Sequence, residues 1–230
     1  MANKTLITLI RWLVILAMPF FLGLGGIRAI IAWDYPAWEY QRIPPDRFGF
    51  TEAERLELAR ATLAYLQRPQ PADDAIYLLE DLRLPGTNDP LYNEREIEHM
   101  LDVKRIADVF TRVVWVTGII VVGGLVFLWA RAETRPQAAN AIWGGGLATT
   151  VVLLVIGLFI LVGWELFFVQ FHELLFPPGT WTFAYTDSLI RLFPEQFWFD
   201  VGVLVSGGTL VAGLVITALG YGLRKMGRAA

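Results

Sequence analysis

The stretch 113-VVWVTGIIVVGGLVFLWA-130 holds 18 residues without one charged side chain. A helix needs about 20 mostly apolar residues to cross the hydrocarbon core of a bilayer. An apolar run of this length, bounded by Arg112 on one side and Arg131 on the other, reads as a membrane span. Three more stretches qualify, at residues 6–31 (around 12-WLVILAMPFFLGLGGI-27), 141–163 and 201–223. The first begins with Lys4 and Arg11 and lacks an Ala-x-Ala-like cleavage site, so a retained anchor is expected rather than a cleaved signal. The composition agrees, with 55% hydrophobic residues, only 18% charged residues and a mean hydropathy of +0.49. Soluble domains run near 45–50% apolar and about 25% charged. The expected fold is an all-α membrane protein with four transmembrane helices.

The organisation follows from those spans. Residues 1–31, 109–130, 141–163 and 201–223 form the helices, with a short loop at 131–140 and a tail at 224–230. Basic residues near span ends favour the cytoplasm. Lys4 and Arg11, then Arg131 and Arg135, then Arg224, Lys225 and Arg228 fall on one side of a four-span chain. Both termini are therefore predicted cytoplasmic. Residues 32–108 and 164–200 face outward, flanked by Trp33, Tyr35, Trp38, Trp164, Trp181 and Trp198 as an aromatic belt.

The outer connection at 32–108 is patterned as a small, mostly helical extracytoplasmic domain. The sequence 51-TEAE-54 is a capping box opening a helix to about Gln67, and 93-NERE-96 opens a second helix toward the next span. The breakers 69-PQPADD-74 and 85-PGTNDP-90 separate them. Residues 164–200 are rich in Phe, Leu and Trp but interrupted by 177-PPGT-180 and Pro194, which predicts an interfacial or re-entrant segment. Pro178-Gly179 suits the centre of a type II turn, and 187-DSLIRLF-193 spans two helical turns. The runs 144-GGG-146 and Gly123-Gly124 read as close helix packing rather than phosphate loops.

Only two histidines exist, His99 and His172, and both fall on the outer side. His99 borders the apolar face Met100, Val103, Ile106, Ala107 and Phe110, on a helix either upright on the second span or flat on the surface. A single interfacial histidine is more often an anchor or a capping donor than a catalyst. Two that converge on one depth weaken that plain reading. Glu165 lies two turns before His172 and shares its face if the helix continues, and Asp102 lies three residues after His99. Several chemistries are excluded. The chain has no cysteine, hence no thiol nucleophile, disulfide or CxxC zinc site. There is no G-x-S-x-G elbow, and 172-HELLF-176 lacks the second histidine of H-E-x-x-H. No basic patch suggests nucleic acid. General acid–base work by imidazoles on a lipid ester at the outer surface is the remaining enzymatic reading. The alternatives are a non-catalytic haem- or metal-binding subunit using both histidines, or a membrane scaffold or sensor.

The blocks 92-YNEREIEHMLDVKRI-106 and 171-FHELLFPPGTWTFAYTDSLIRLFPEQFWFD-200, in this order within a four-span layout, resemble the bacterial lipoprotein intramolecular transacylases. The likeness is carried by Glu96, His99, Asp102, Val103 and Lys104, then by Phe171, His172, Leu175/Phe176, Trp181, Asp187, Leu189, Ile190, Pro194 and Phe197. The chain departs from the family pattern at Pro177-Pro178-Gly179. The resemblance implies a transferase acting on a diacylglyceryl-modified lipoprotein among membrane lipids, and no cofactor or metal is expected. It would move the sn-2 acyl chain onto the α-amine of the N-terminal cysteine, giving the lyso-form. His172 is expected to take the proton from that amine and His99 to donate to the ester oxyanion, with the two roles exchangeable. Asp102 and Glu165 are expected to fix the imidazole tautomers. Glu96, Trp181 and Asp187 are further supporting or substrate-positioning candidates. An acyl-enzyme on Ser188 or Thr186 is disfavoured, because amine and ester belong to one substrate.

Overall fold

In the computed structural model, residues 4–229 are described, with side chains through residue 227. Arg228, one of the basic residues placed after the fourth span, therefore lies outside the described side chains. Every regular element among the described residues is helical, apart from an isolated bridge between Arg83 and Pro90. Four helices are long and apolar enough to cross a membrane: α1 (Lys4–Ala32), α6 (Glu94–Trp129), α7 (Arg135–Val162) and α10 (Glu195–Ala229). Between α1 and α6 lie α2 (Tyr35–Glu39), α3 (Glu52–Gln67), α4 (Ala72–Ala75) and α5 (Tyr77–Glu80). Between α7 and α10 lie α8 (Trp164–Leu175) and α9 (Ser188–Leu192).

The chain divides into two compact units, and the first comprises Met1–Ile27, Phe110–Val162 and Val203–Ala230. Its helices approach closely because glycine removes the side chains that would hold them apart. A Cβ on Gly146 would sit 2.5 Å from the backbone nitrogen of Thr217, and one on Gly145 would sit 2.6 Å from the Met18 sulfur. Gly144 and Gly124 meet Ile15 and Val14 in the same way, and Gly220 is packed against the backbone of Trp143. Gly123 has nothing within 4 Å of its Cβ position, so only one member of the 123–124 pair serves packing. Val14, Met18, Leu128 and Ala141 are buried along this seam.

The second unit comprises Arg28–Val109 and Gly163–Gly202, and both histidines belong to it. α3 starts at the expected capping box, where Thr51 and Glu54 each bond the other's backbone N–H. α6 starts in the same way. The Asn93 side-chain oxygen accepts from the Glu96 N–H at 3.0 Å, and Glu96 Oε2 accepts from the Asn93 N–H at 2.8 Å. From there α6 runs 36 residues without a break. At 1.5 Å per residue that is about 54 Å, well beyond a hydrocarbon core of about 30 Å. The first turns of α6, His99 included, thus precede the apolar span, and the His99 segment is continuous with that span rather than a separate flat helix.

The core of this unit gathers Tyr35, Tyr65, Leu79, Tyr92, Met100, Leu192 and Phe197 from six different helices and one loop. α9 is only five residues long and too short to persist alone. It is held from several sides. Arg55 Nε donates to the Arg191 carbonyl at 3.1 Å, the Tyr40 hydroxyl donates to the Leu192 carbonyl at 2.6 Å, and Arg191 pairs with buried Asp46 at 2.9 Å. Leu192 is fully buried beneath them.

The glycine contacts yield a paired expectation for the first unit. Gly146→Ala forces a methyl group against backbone that cannot swing aside, an overpacking cost of about 1–3 kcal/mol. Its melting temperature in detergent should fall clearly below wild type, whereas that of Gly123→Ala should not. Equal behaviour of the two variants would show that the glycine seam is not packed as described.

Candidate active site

His99 sits in the second turn of α6, and the capping box fixes where that helix begins. The same glutamate that closes the box reaches further. Glu96 is almost wholly buried, and its Oε1 accepts the Leu189 backbone N–H at 2.7 Å, tying the start of α6 to α9 across 93 residues of sequence. Burial pushes the Glu96 carboxyl up from its ordinary range, and the two backbone N–H groups pull it back toward the ionised form. Two further ties hold this part of α6. The Tyr65 hydroxyl donates to the Met100 carbonyl at 3.3 Å, and the buried Lys104 ammonium donates to the Arg68 carbonyl at 2.8 Å, capping the end of α3.

His172 lies in the last turn of α8. The third span does not simply continue to it. Gly163, at φ −136° and ψ 48°, interrupts the helix between α7 and α8. The His172 ring nitrogen Nδ1 lies 2.7 Å from the Phe168 carbonyl oxygen one turn earlier. A carbonyl can only accept, so Nδ1 carries the hydrogen, and in the neutral ring Nε2 keeps its lone pair. At His172 the tautomer-fixing role expected of a carboxylate is therefore filled by backbone. Asp102 is paired with Arg105 at 3.1 Å, and Glu165 is exposed in the first turn of α8. Neither is hydrogen-bonded to a histidine among the described contacts.

After α8 the chain turns at 177-PPGT-180. Gly179 has φ +82°, the left-handed conformation expected of glycine in this turn, and the Thr180 N–H donates to the Pro177 carbonyl at 3.3 Å. The returning segment brings Trp181 and Phe183 back onto the histidines. Asp187 closes the far end of this loop rather than touching an imidazole. It accepts the Ala184 N–H at 2.9 Å and pairs with Arg95 at 3.3 Å.

The two imidazoles are nearly parallel, with centres 6.5 Å apart and planes 22° from each other. At that separation two ring nitrogens cannot reach the roughly 3 Å of a direct hydrogen bond, so a reacting group has room to engage both. Aromatic rings wall the pair. Phe176 and Phe183 lie 4.8 and 5.3 Å from His99, and Phe168, Trp181 and Phe176 lie 4.0, 5.0 and 5.5 Å from His172. Sequence reading reaches Phe176 and Trp181 but not Phe168 and Phe183, whose roles depend on the turn. Burial lowers both histidines, His99 to about 4, where the neighbouring His172 adds to the effect. The Phe168 carbonyl opposes part of the shift at His172. Both rings are thus neutral near pH 7. Two buried polar atoms here have no partner, Nδ1 of His99 and Nε1 of Trp181. Among the described residues, no three or more His, Asp or Glu side chains gather closely enough to hold a metal.

The fold and this geometry define an integral membrane protein with a paired-imidazole centre suited to moving protons in an apolar setting. The model of the lipoprotein intramolecular transacylase (Lit) family matches residues 6–198, and the chain belongs to that family. It is accordingly an acyltransferase of bacterial membranes that acts on lipoproteins. Its fold is that of Lit from Bacillus cereus, solved in meso, with a TM-score of 0.82 at 22% identity over 99% of this chain and 100% of the other. A histidine-to-alanine variant of the same protein aligns with a TM-score of 0.74 at 22% identity, over 98% of this chain and 97% of that one. An uncharacterized protein of Aquifex aeolicus (strain VF5) is 31% identical over 215 residues, 92% of this chain and 93% of the relative.

The depressed His99 has a consequence for stability. In the unfolded chain a histidine protonates near pH 6.5, whereas in the fold His99 stays neutral until about pH 4. Between these values the unfolded state binds the extra proton, so the fold loses stability as pH falls and regains it as pH rises. His99→Gln should show a shallower decline of melting temperature from pH 6.5 to 4 than wild type. An unchanged slope would mean that His99 is not held neutral by burial.

Proposed function

We propose that this chain moves the sn-2 acyl chain of a diacylglyceryl-modified lipoprotein onto the α-amine of its N-terminal cysteine, with His172 as base and His99 as donor to the oxyanion. The observation that carries the division of labour is the bond from His172 Nδ1–H to the Phe168 carbonyl, which leaves Nε2 as the acceptor. His99, the more deeply buried ring, has a nitrogen with no protein partner. The amine lone pair forms the N–C bond to the ester carbonyl carbon, and the carbonyl π pair moves onto oxygen. His172 Nε2 takes the proton released from nitrogen. On collapse the carbonyl re-forms, the bond to the glyceryl oxygen breaks, and that oxygen takes the proton back from His172. No atom of the protein is acylated, because amine and ester arrive on one molecule already close together.

The reading places the reaction at the outer leaflet of the bacterial cytoplasmic membrane with both termini inside. Supporting this, Lys4, Arg131 and Arg135 lie at or just beyond helix ends, and Arg224 within the last two turns of α10, in each case at the end of a long helix opposite to the one that leads into the histidine unit. α8 supports it as well, since it exposes Leu166 and Leu174 alongside Gln170 and Glu173, a mixed apolar and polar surface suited to a membrane interface.

Expression in a bacterium that lacks lipoprotein N-acylation, followed by mass spectrometry of a lipoprotein's N-terminal peptide, tests the proposal. The expected product is N-acylated and carries one acyl chain on its glyceryl group. His99→Ala and His172→Ala should each lower its formation about 10²–10⁴-fold at normal expression, while Asp102→Asn and Glu165→Gln should leave it formed. An unchanged acyl position with the wild-type protein, or full conversion by both alanine variants, would refute the assignment.

A further inference from the structure

Resting on that reading, we propose that the indole N–H of Trp181 is a second donor to the oxyanion, working beside His99. The ring is held against His172 at 5.0 Å by the Gly179 turn on one side and by the Asp187-anchored end of the loop on the other. Four phenylalanines already surround the two histidines, at 168, 171, 176 and 183. A fifth would serve as well if packing were the only requirement. What distinguishes Trp181 is one nitrogen, and that nitrogen is buried and unbonded. A buried donor left without a partner costs about 1–3 kcal/mol, and such groups are rare in folded proteins. Here two buried nitrogens lack a partner, Trp181 Nε1 and His99 Nδ1, and both belong to rings next to the same imidazole, 5.0 and 6.5 Å from its centre.

The reaction supplies what they lack. When the amine attacks, the former carbonyl oxygen gains a full negative charge in a site walled by hydrocarbon rings. A neutral imidazole offers that oxygen a single N–H, and an indole N–H has no other chemistry than to donate. Donors fixed before the charge appears, in a setting that excludes water, favour the transition state over the neutral ester. Trp181 therefore acts on the rate of the chemical step rather than on the affinity for the lipoprotein.

The test uses purified full-length protein in vesicles with a synthetic diacylglyceryl lipopeptide. Trp181→Phe keeps the ring, and replacement of Trp181 by benzothienylalanine keeps the whole bicyclic shape while removing only the N–H. Both should lower kcat by about 10²-fold and leave KM within about threefold of wild type. A benzothienylalanine protein with the wild-type kcat would overturn the donor role, whatever happens to Trp181→Phe. So would a loss confined to KM. His172→Ala is assayed alongside. If it is inactive while the benzothienylalanine protein is fully active, only the Trp181 role fails. If it too keeps the wild-type rate, the two-histidine reading itself fails.

Discussion

A single buried carboxylate determines where the parts of this site meet. Glu96 closes the capping box that starts α6 and, with its other oxygen, holds the first turn of α9, so two helix beginnings 93 residues apart share one anchor. Burial pushes this carboxyl up from its ordinary range, and the two backbone N–H groups that it accepts oppose that shift. The arrangement is demanding, because removing the acceptor strands the buried Leu189 N–H and opens the capping box at the same time. His99 follows one turn after Glu96 on the same helix. The loop that carries Trp181 and Phe183 ends where α9 begins. The aromatic wall on one side of the histidines and the helix behind it are thus set by the same interaction.

That anchoring explains how a short, proline-broken segment carries a defined site. Arg191, Arg55 and Tyr40 fix α9 through backbone carbonyls and a buried ion pair, and Asp187 pins the loop to Arg95. None of these groups needs to touch substrate. Their effect is to keep the aromatic rings in place around two neutral imidazoles, so that little reorganisation is needed when charge develops. Burial costs the histidines their positive charge, and that same cost keeps them available for proton transfer near neutral pH.

Much of the architecture was legible from local pattern. Hydropathy marked all four spans, and Thr51-x-x-Glu54 and Asn93-x-x-Glu96 marked two helix starts, because a cap is a contact between near neighbours. The glycine runs at 144–146 and Gly124 were legible for a similar reason, whereas Gly123 reads identically and packs against nothing. The histidines stood out by scarcity, and the spacing of their two blocks pointed to the family. The tautomer-fixing partner did not stand out, since a backbone carbonyl such as that of Phe168 leaves no mark in the side-chain sequence. Asp102 and Glu165 are plausible by helical spacing, yet Arg105 engages the first, and the second lies two turns of α8 before His172, about 10 Å along the axis and out of bonding reach. Glu96 bonding to Leu189 is a long-range contact, and no periodicity encodes it.

The central claim is that the two imidazoles act as one unit on one transferring acyl group. The rate of lyso-form production by the His99→Ala/His172→Ala double variant, measured beside the two single variants in vesicles, tests this most directly. Groups that serve the same transition state lose their effect together, so the double variant should be no slower than the worse single variant. A double variant slower by the product of the two single losses would show two independent contributions and contradict the account.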